Sequence, residues 1–266
     1  MATALGNERS RGPDIGRVWS LGFDALGRRL GEILIVAFVF GGLPAALFRV
    51  LSAHALAFFG LSVWTTLAIT LGMLTITSVL GTTAGYALIS RLVISTLDGD
   101  GETVARAVDN IVRRFLILIA MALLSNVGIG LATLLLIVPG LMLMTAWAIA
   151  IPVTSMERLG PIDSLRRSMM LTRGARWQIF GVILVLAIVS GGGNYLLGRA
   201  INAFYGGAGA LNVALSHGWP LWHIVPTALF HGFAIAVTAS IHAALYVQLR
   251  TWKDGPQSDQ LAEVFA

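Results

Sequence analysis

The charged residues of this chain are gathered into short clusters, and the long runs between them contain no Asp, Glu, Lys or Arg. The five runs cover residues 33–48, 50–90, 115–156, 177–198 and 200–249. A helix needs about 20 apolar residues to cross the hydrocarbon core of a bilayer, and a charge at its centre costs several kcal/mol. A soluble fold has no comparable reason to exclude charge over such lengths. The pattern therefore predicts an integral membrane protein.

The composition agrees with this prediction and narrows the expected partners. Hydrophobic residues make up 56% of the chain and charged residues only 12%, whereas about a quarter of a soluble domain is charged. The formal net charge of +5 comes from basic residues beside apolar runs, so we expect anionic membrane lipids as partners rather than nucleic acid. The absence of cysteine excludes disulfides and thiolate metal sites. No cofactor is predicted, and protein partners are not indicated.

The run lengths predict an all-α bundle of six transmembrane helices. Run 115–156 has 42 residues and would be about 63 Å long as one helix, twice the thickness of the hydrocarbon core. It must hold two spans, and Pro139-Gly140 is the expected reversal. The predicted spans are about 32–53, 64–90, 115–136, 140–156, 177–198 and 223–249. They form a membrane domain of residues 32–249.

The basic residues predict the orientation of this bundle. With the N-terminus in the cytoplasm, only Arg49 and Arg199 among the 18 Lys and Arg residues fall on the outer side. Because cytoplasmic loops are enriched in Lys and Arg, both termini are expected inside. Residues 1–31 would be a cytoplasmic segment with an amphipathic helix, and residues 250–266 a cytoplasmic tail. The first span is expected to serve as an uncleaved anchor, and the predominance of Arg over Lys suggests a bacterial inner membrane.

Three stretches before predicted spans resemble one another. Residues 23–30, 107–115 and 165–177 are each amphipathic and end in Arg followed by a large apolar residue. A helix and hairpin unit used three times would explain the pattern. A second explanation is that any cytoplasmic segment leading into a span is basic and amphipathic. The sequence leaves both explanations open.

The third stretch is the most basic part of the chain and is predicted to bind anionic lipid. An interfacial helix is expected over 162–176, with Pro161 in its first turn and Gly174 at its end. Its apolar face would carry Ile162, Leu165 and Met169, and the opposite face would carry Asp163, Ser164 and Arg167. Arg binds phosphate through paired hydrogen bonds, and Trp favours the membrane interface. The candidate headgroup residues are Arg166, Arg167, Arg173, Arg176 and Trp177.

A polar pathway through the membrane is the alternative function that the sequence allows. His231 and His242 share a face of the sixth span about 16 Å apart, and Gly191–Asn194 could be an unwound segment that lines a site. Together with Asn194 they would suit a small carrier or channel. Helix packing and interhelical hydrogen bonds explain the same residues. No carboxylate lies well inside a span and no catalytic motif occurs, so we do not predict an enzyme.

One segment, residues 115–181, resembles a known family. The residues that carry the resemblance are Leu135, Ile137, Val138, Pro139, Gly140, Leu141, Pro152, Glu157, Gly160, Pro161, Leu165, Arg166, Arg167, Ser168, Leu171, Thr172, Arg173, Gly174, Trp177, Gln178, Ile179 and Phe180. They are similar to the bacterial membrane domain named after glycerophosphoryl diester phosphodiesterases, which is related to YciC-like inner-membrane proteins. The resemblance implies a six-helix membrane domain of unknown function. It also gives Pro139, Gly140, Pro152 and Gly174 structural roles, as a reversal, a kink and a helix end.

Overall fold

The computed structural model describes residues 12–44, 46–47, 65, 81–204 and 221–255, and all the regular structure within these ranges is helical. The predicted all-α class is therefore confirmed for them. The α-helices are α1 (Ile15–Arg28), α2 (Leu30–Ala37), α3 (Thr83–Asp98), α4 (Val104–Arg113), α5 (Phe115–Leu135), α6 (Ile137–Ala146), α7 (Ala150–Met156), α8 (Pro161–Thr172), α9 (Arg176–Phe204) and α10 (Leu221–Asp254). One π-helical turn, π1 (Phe38–Gly42), continues α2.

Four helical segments of the described chain are long and apolar enough to cross a membrane. They are Phe115–Leu135, Ile137–Met156, Arg176–Ala203 and Leu221–Asp254. They correspond to the third to sixth predicted spans. The first predicted span begins in the shorter apolar helix Leu30–Gly42, and most of the second, 64–90, lies outside the described residues. The count of six spans stays a prediction.

Helix α10 lies at the centre of the bundle and contacts α1, α2, π1, α3, α7, α8 and α9. Its inner face is built from small residues, including Ala236, Ala239, Ser240, Ala243 and Ala244, all buried. Small side chains let helix backbones approach closely, which compensates in lipid for the absence of a hydrophobic driving force between helices. Helix α3 supplies several of the largest fully buried side chains, including Leu88, Ile89 and Leu92.

Helices α5 and α6 form an antiparallel hairpin whose turn differs from the predicted one. The chain reverses at Leu136, which has an extended backbone (φ −157°, ψ 137°), and Pro139-Gly140 lies inside the first turns of α6. Proline is accepted there because early helical N–H groups need no intrahelical partner. A Cβ on Gly140 would lie 2.8 Å from Cα of Thr133 on α5. Gly140 therefore allows the hairpin to close.

The predicted kink at Pro152 is present, one turn before the proline. Residues 147–149 form a turn between α6 and α7. Pro152 lacks an N–H, and its ring crowds the carbonyl four residues earlier, at Ala148. Trp147 lies in this break, where its ring fills the space above Gly128 on α5, with Cζ3 2.7 Å from where a glycine Cβ would stand. The proline thus turns the chain without ending the apolar segment Ile137–Met156.

The three similar stretches adopt similar structures. Helices α1, α4 and α8 each precede an apolar helix, α2, α5 and α9, after a break of one to three residues. Arg29 and Arg114 occupy the first two breaks with nearly the same backbone conformation, φ −125° and −114° with ψ 32° and 10°. Gly174 in the third break has a φ of +94°, a conformation that favours glycine, and it follows the end of α8 as predicted.

Candidate functional site

Helix α8 exposes apolar and basic side chains together and buries small polar ones. Ile162, Met169 and Met170 are exposed on the same side as Arg166 and Arg173. The buried side is formed by Ser164, Leu165, Ser168, Leu171 and Thr172. The predicted division of faces is thus wrong for Leu165 and Ser164, because both point into the bundle.

The serine and threonine of the buried face are used in helix packing. The Ser168 hydroxyl donates a hydrogen bond of 2.9 Å to the carbonyl of Ala146, where α6 ends. The Thr172 hydroxyl contacts the same carbonyl at 3.3 Å and donates to Ser168 at 2.9 Å. These bonds satisfy a helix C-terminal carbonyl that has no intrahelical partner. They also fix the outward direction of the apolar and basic face.

Arg167 points away from the exposed face and holds two carboxylates. Its Nε donates to Glu157 at 2.9 Å, and its Nη atoms donate to Asp254 at the end of α10. Burial alone would lower the pKa of the Arg167 guanidinium, but hydrogen bonds and attraction to Asp254 and Glu157 outweigh it and raise the pKa. The headgroup role predicted for Arg167 is untested, but its donors are engaged within the bundle.

A hydrogen bond, a cation–π contact and an ion pair extend in turn from Glu157 across one end of the bundle. Tyr246 donates to Glu157 at 3.0 Å, and Arg250 stacks on the Tyr246 ring 5.4 Å from its centroid. Arg250 in turn donates to both oxygens of Asp98 at 3.0 Å. These residues, with Arg167 and Asp254, are called the ionic network below. They join α3, α7, α8 and α10.

Arg91 adds a second group of contacts beside this network. It binds Glu102 with two hydrogen bonds, of 2.7 and 3.1 Å, and donates to the Ser155 carbonyl at 2.6 Å. Asn110 on α4 donates to the same Glu102 carboxylate at 2.9 Å. Three charge clusters that are distant in sequence, near residues 91–102, 157–167 and 250–254, therefore meet at one end of the bundle, called the charged end below.

The two arginines in the helix breaks also donate to carbonyls at this end. Arg29 binds the Glu102 carbonyl at 2.7 Å, and Arg114 binds the carbonyls of Thr154 and Leu159 at 2.8 and 3.2 Å. Burial and the nearby charges of Arg158 and Arg91 lower the pKa of the Arg114 guanidinium. It remains a cation at neutral pH, since arginine titrates far above that range. Arg29 thus links the first break to the segment before α4, and Arg114 links the second break to α7 and to the segment before α8.

Arg176 and Trp177 lie in an apolar groove between α6 and the start of α9. The groove has a volume of about 260 Å³. Its lining residues are Val138, Leu141, Met142, Thr145, Arg176, Trp177 and Phe180. Trp177 is 86% exposed, while Arg176 is half-buried. Two of the predicted headgroup residues therefore meet in one concave site, and Arg173 is exposed three residues before it.

The residues of the predicted polar pathway occupy different environments. Helix α9 runs without interruption through Gly191–Asn194, and Asn194 is exposed. His231 on α10 is exposed, whereas His242 is buried and bonded to the Tyr86 hydroxyl and, at 2.9 Å, to the Thr238 carbonyl. The carrier hypothesis stays a prediction, but the glycine segment is not unwound.

The helical glycines before Asn194 pack less than the sequence interpretation expected. A Cβ added to Gly191 or Gly192 would meet nothing within 4 Å. Only Gly193 is close to a neighbour, and a Cβ there would lie 2.9 Å from Cε2 of Phe230 on α10. Helix packing therefore accounts for one of these three glycines.

The comparisons with known proteins return no match. No family model matches the chain, and neither a curated protein nor a solved structure matches it. The resemblance of residues 115–181 to the phosphodiesterase membrane domain therefore stays a prediction. Among the described residues, no group of three His, Cys, Asp or Glu could hold a metal ion.

The ionic network is the feature that sequence analysis missed. From the sequence, the basic residues of the clusters at 91–102, 157–167 and 250–254 predict orientation and lipid binding, but no pairing with particular acidic residues is predicted. Their acidic members, such as Glu102, Glu157 and Asp98, were a usable signal, because a carboxylate beside an apolar run is costly unless it is paired. Which carboxylate pairs with which arginine depends on helix packing, and no sequence spacing reveals it.

Proposed function

We propose that this chain is a non-enzymatic, multi-pass protein of the bacterial inner membrane that acts as a scaffold or envelope-maintenance factor. In this proposal it has six spans, with both termini in the cytoplasm. It holds anionic lipid on the basic surface formed by α8 and the junction of α8 with α9. Three charge clusters that each contain Arg meet at the charged end, and this supports the orientation because Lys and Arg are enriched in cytoplasmic segments.

The observation that carries the proposal is the composition of the exposed face of α8. Exposed Ile162, Met169 and Met170 beside Arg166 and Arg173 suit a boundary where acyl chains contact the apolar groups and phosphates contact the arginines. Each Arg near an anionic leaflet contributes about 1 kcal/mol. Arg166 is 72% exposed and lies 3.7 Å from Asp163. An exposed ion pair of this kind contributes little free energy, so Asp163 holds the guanidinium only weakly. Its guanidinium is available to a phosphate.

The test is the amount of anionic lipid that copurifies with the full chain. We expect replacing Arg166 and Arg173 with Gln to lower retained phosphatidylglycerol and cardiolipin several-fold, because two phosphate-binding groups are lost. The matched control replaces Arg28 and Arg113, which are exposed and paired with Asp24 and Asp109. It removes the same charge elsewhere and should retain wild-type lipid.

Two results would overturn the proposal. Equal lipid in the Arg166 and Arg173 variant and in wild type would mean that this surface holds no lipid. An equal loss in the Arg28 and Arg113 control would mean that only net charge attracts lipid. No described contact favours the carrier or channel over the lipid-binding role, and that alternative stays a prediction.

A further inference from the structure

Arg176 differs from the other half-buried arginines that the structure describes. Six arginines are half-buried, and five of them donate to carboxylates or carbonyls: Arg29, Arg91, Arg114, Arg167 and Arg250. Arg176 makes no hydrogen bond or ion pair within the described residues, and its Nε is buried without an acceptor. A half-buried cation without a counter-ion is costly. An anion bound beside Arg176 would therefore stabilise it.

The surroundings of Arg176 restrict what that anion can be. The groove beside it is almost wholly apolar, and the Thr145 hydroxyl in it already donates to the Met142 carbonyl at 2.8 Å. The volume of about 260 Å³ is far larger than the space that one water molecule needs, and the apolar lining suits part of an acyl chain. An anion joined to a hydrocarbon chain fits this combination, whereas a free anion would leave the groove empty.

The groove also lies where a lipid can reach it. Both of its walls belong to segments long and apolar enough to cross a membrane, Ile137–Met156 and Arg176–Ala203, and its lining residue Val138 is exposed. Helix α9 begins at Arg176, so its first backbone N–H groups lie at the same end as the guanidinium and add positive potential there. Trp177, 86% exposed, can pack against the glycerol region of a lipid.

We infer that the groove between α6 and α9 binds one phospholipid, with an acyl chain along Leu141 and Met142 and the phosphate on Arg176. This inference rests on the proposed lipid-binding function and specifies one site within it. The lipids on the exposed face of α8 exchange with the bilayer. The lipid in the groove is held by two different contacts, a charge pair and a filled apolar site, and it dissociates last.

The experiment counts phospholipids bound to the purified full chain by native mass spectrometry, with dioleoyl phosphatidylglycerol as the probe. Wild type should keep one lipid under conditions that remove the others. Met142→Trp fills the groove without changing charge, and Arg176→Gln removes the charge without filling the groove. We expect Arg176→Gln to lower occupancy by about tenfold or more, as the loss of a charge-assisted hydrogen bond does. Met142→Trp should also lower occupancy, because the indole occupies the position of the acyl chain. Leu134→Trp, at an exposed site on α5, is the control and should keep the lipid.

The outcomes separate this inference from the proposed function. If both Met142→Trp and Arg176→Gln retain the last lipid, the groove is not a lipid site, whatever the Arg166 and Arg173 variant does. If glycerol phosphate, which has no acyl chain, binds Arg176 as strongly as the phospholipid, a free anion is the ligand and the inference is wrong. Loss in both groove variants, with Leu134→Trp unchanged, supports it.

Discussion

Neighbouring arginines at positions 166 and 167 have opposite surroundings. Arg166 is 72% exposed beside Asp163, and Arg167 is 24% exposed between Glu157 and Asp254. One position along a helix rotates the side chain by about 100°, enough here to move a guanidinium from the surface into the ionic network. Residue type therefore does not indicate which arginines of a basic cluster can reach lipid.

Replacing each of the two arginines with Gln should separate their roles. Arg167→Gln should lower the free energy of unfolding in detergent by about 2 kcal/mol, since a hydrogen bond to a charged group contributes about 1.5–3 kcal/mol. Arg166→Gln should lower it by less than about 1 kcal/mol, as expected for an exposed pair. Equal losses, measured by reversible denaturation in mixed micelles, would contradict the assignment of Arg167 to the network.

At the scale of elements, the α5 and α6 hairpin shows how proline and glycine can act away from the turn. Pro139-Gly140 suggested a reversal, but the chain turns at Leu136 and Gly140 serves as a contact point for Thr133. This arrangement lets α5 and α6 pack closely at two points, where Gly140 contacts Thr133 and where Trp147 contacts Gly128. Proline and glycine occur near a reversal both when they form the turn and when they allow a close helix contact. The sequence therefore could not distinguish the two roles.

Adding a methyl group to Gly140 tests its contact with Thr133. Gly140→Ala should destabilise the protein by about 1–3 kcal/mol, the usual cost of overpacking, because the backbone of Thr133 cannot yield as a flexible side chain would. Gly130→Ala on α5 is the matched control, since a Cβ there meets nothing within 4 Å. It should be neutral or stabilising by up to ~1 kcal/mol. Thermal unfolding in detergent measures both, and a tolerated Gly140→Ala would show that the contact is unimportant.

For the whole molecule, the charged end joins residues that are up to 152 positions apart in the chain. Arg91, Glu157 and Arg250 belong to three different clusters. Arg91 donates to the carbonyl of Ser155, two residues before Glu157, and both Glu157 and Arg250 contact Tyr246. Clusters that touch must lie on one side of any bilayer that the apolar helices cross. This agrees with the orientation in the proposed function.

Labelling of single cysteines tests that orientation, and the natural absence of cysteine makes each introduced thiol the only target. Ser20→Cys, Arg173→Cys and Thr251→Cys should react with an impermeant maleimide only after the cell membrane is opened. Asn212→Cys should react in intact cells, because it lies in a predicted outer loop. Labelling of Arg173→Cys in intact cells would contradict the proposed topology.

The sequence by itself determined the helical class, the four helices from residue 115 onwards that are long and apolar enough to cross a membrane, and local features such as the break before Pro152 and the helix end at Gly174. These follow from interactions between near neighbours: the cost of charge in lipid, the missing N–H of proline and the free φ of glycine. The six-span count and the triple repeat remain predictions.

Only the tertiary structure decided which arginines are engaged and which groove is open. Arg167 and Arg176 are both members of one basic stretch, and their difference depends on where α10 brings Asp254 and where α6 ends. A sequence gives the charges, but their partners depend on helices that approach from distant parts of the chain. Because a half-buried charge is stable only beside a suitable partner, packing determines whether an arginine stabilises the bundle or is left to bind a ligand.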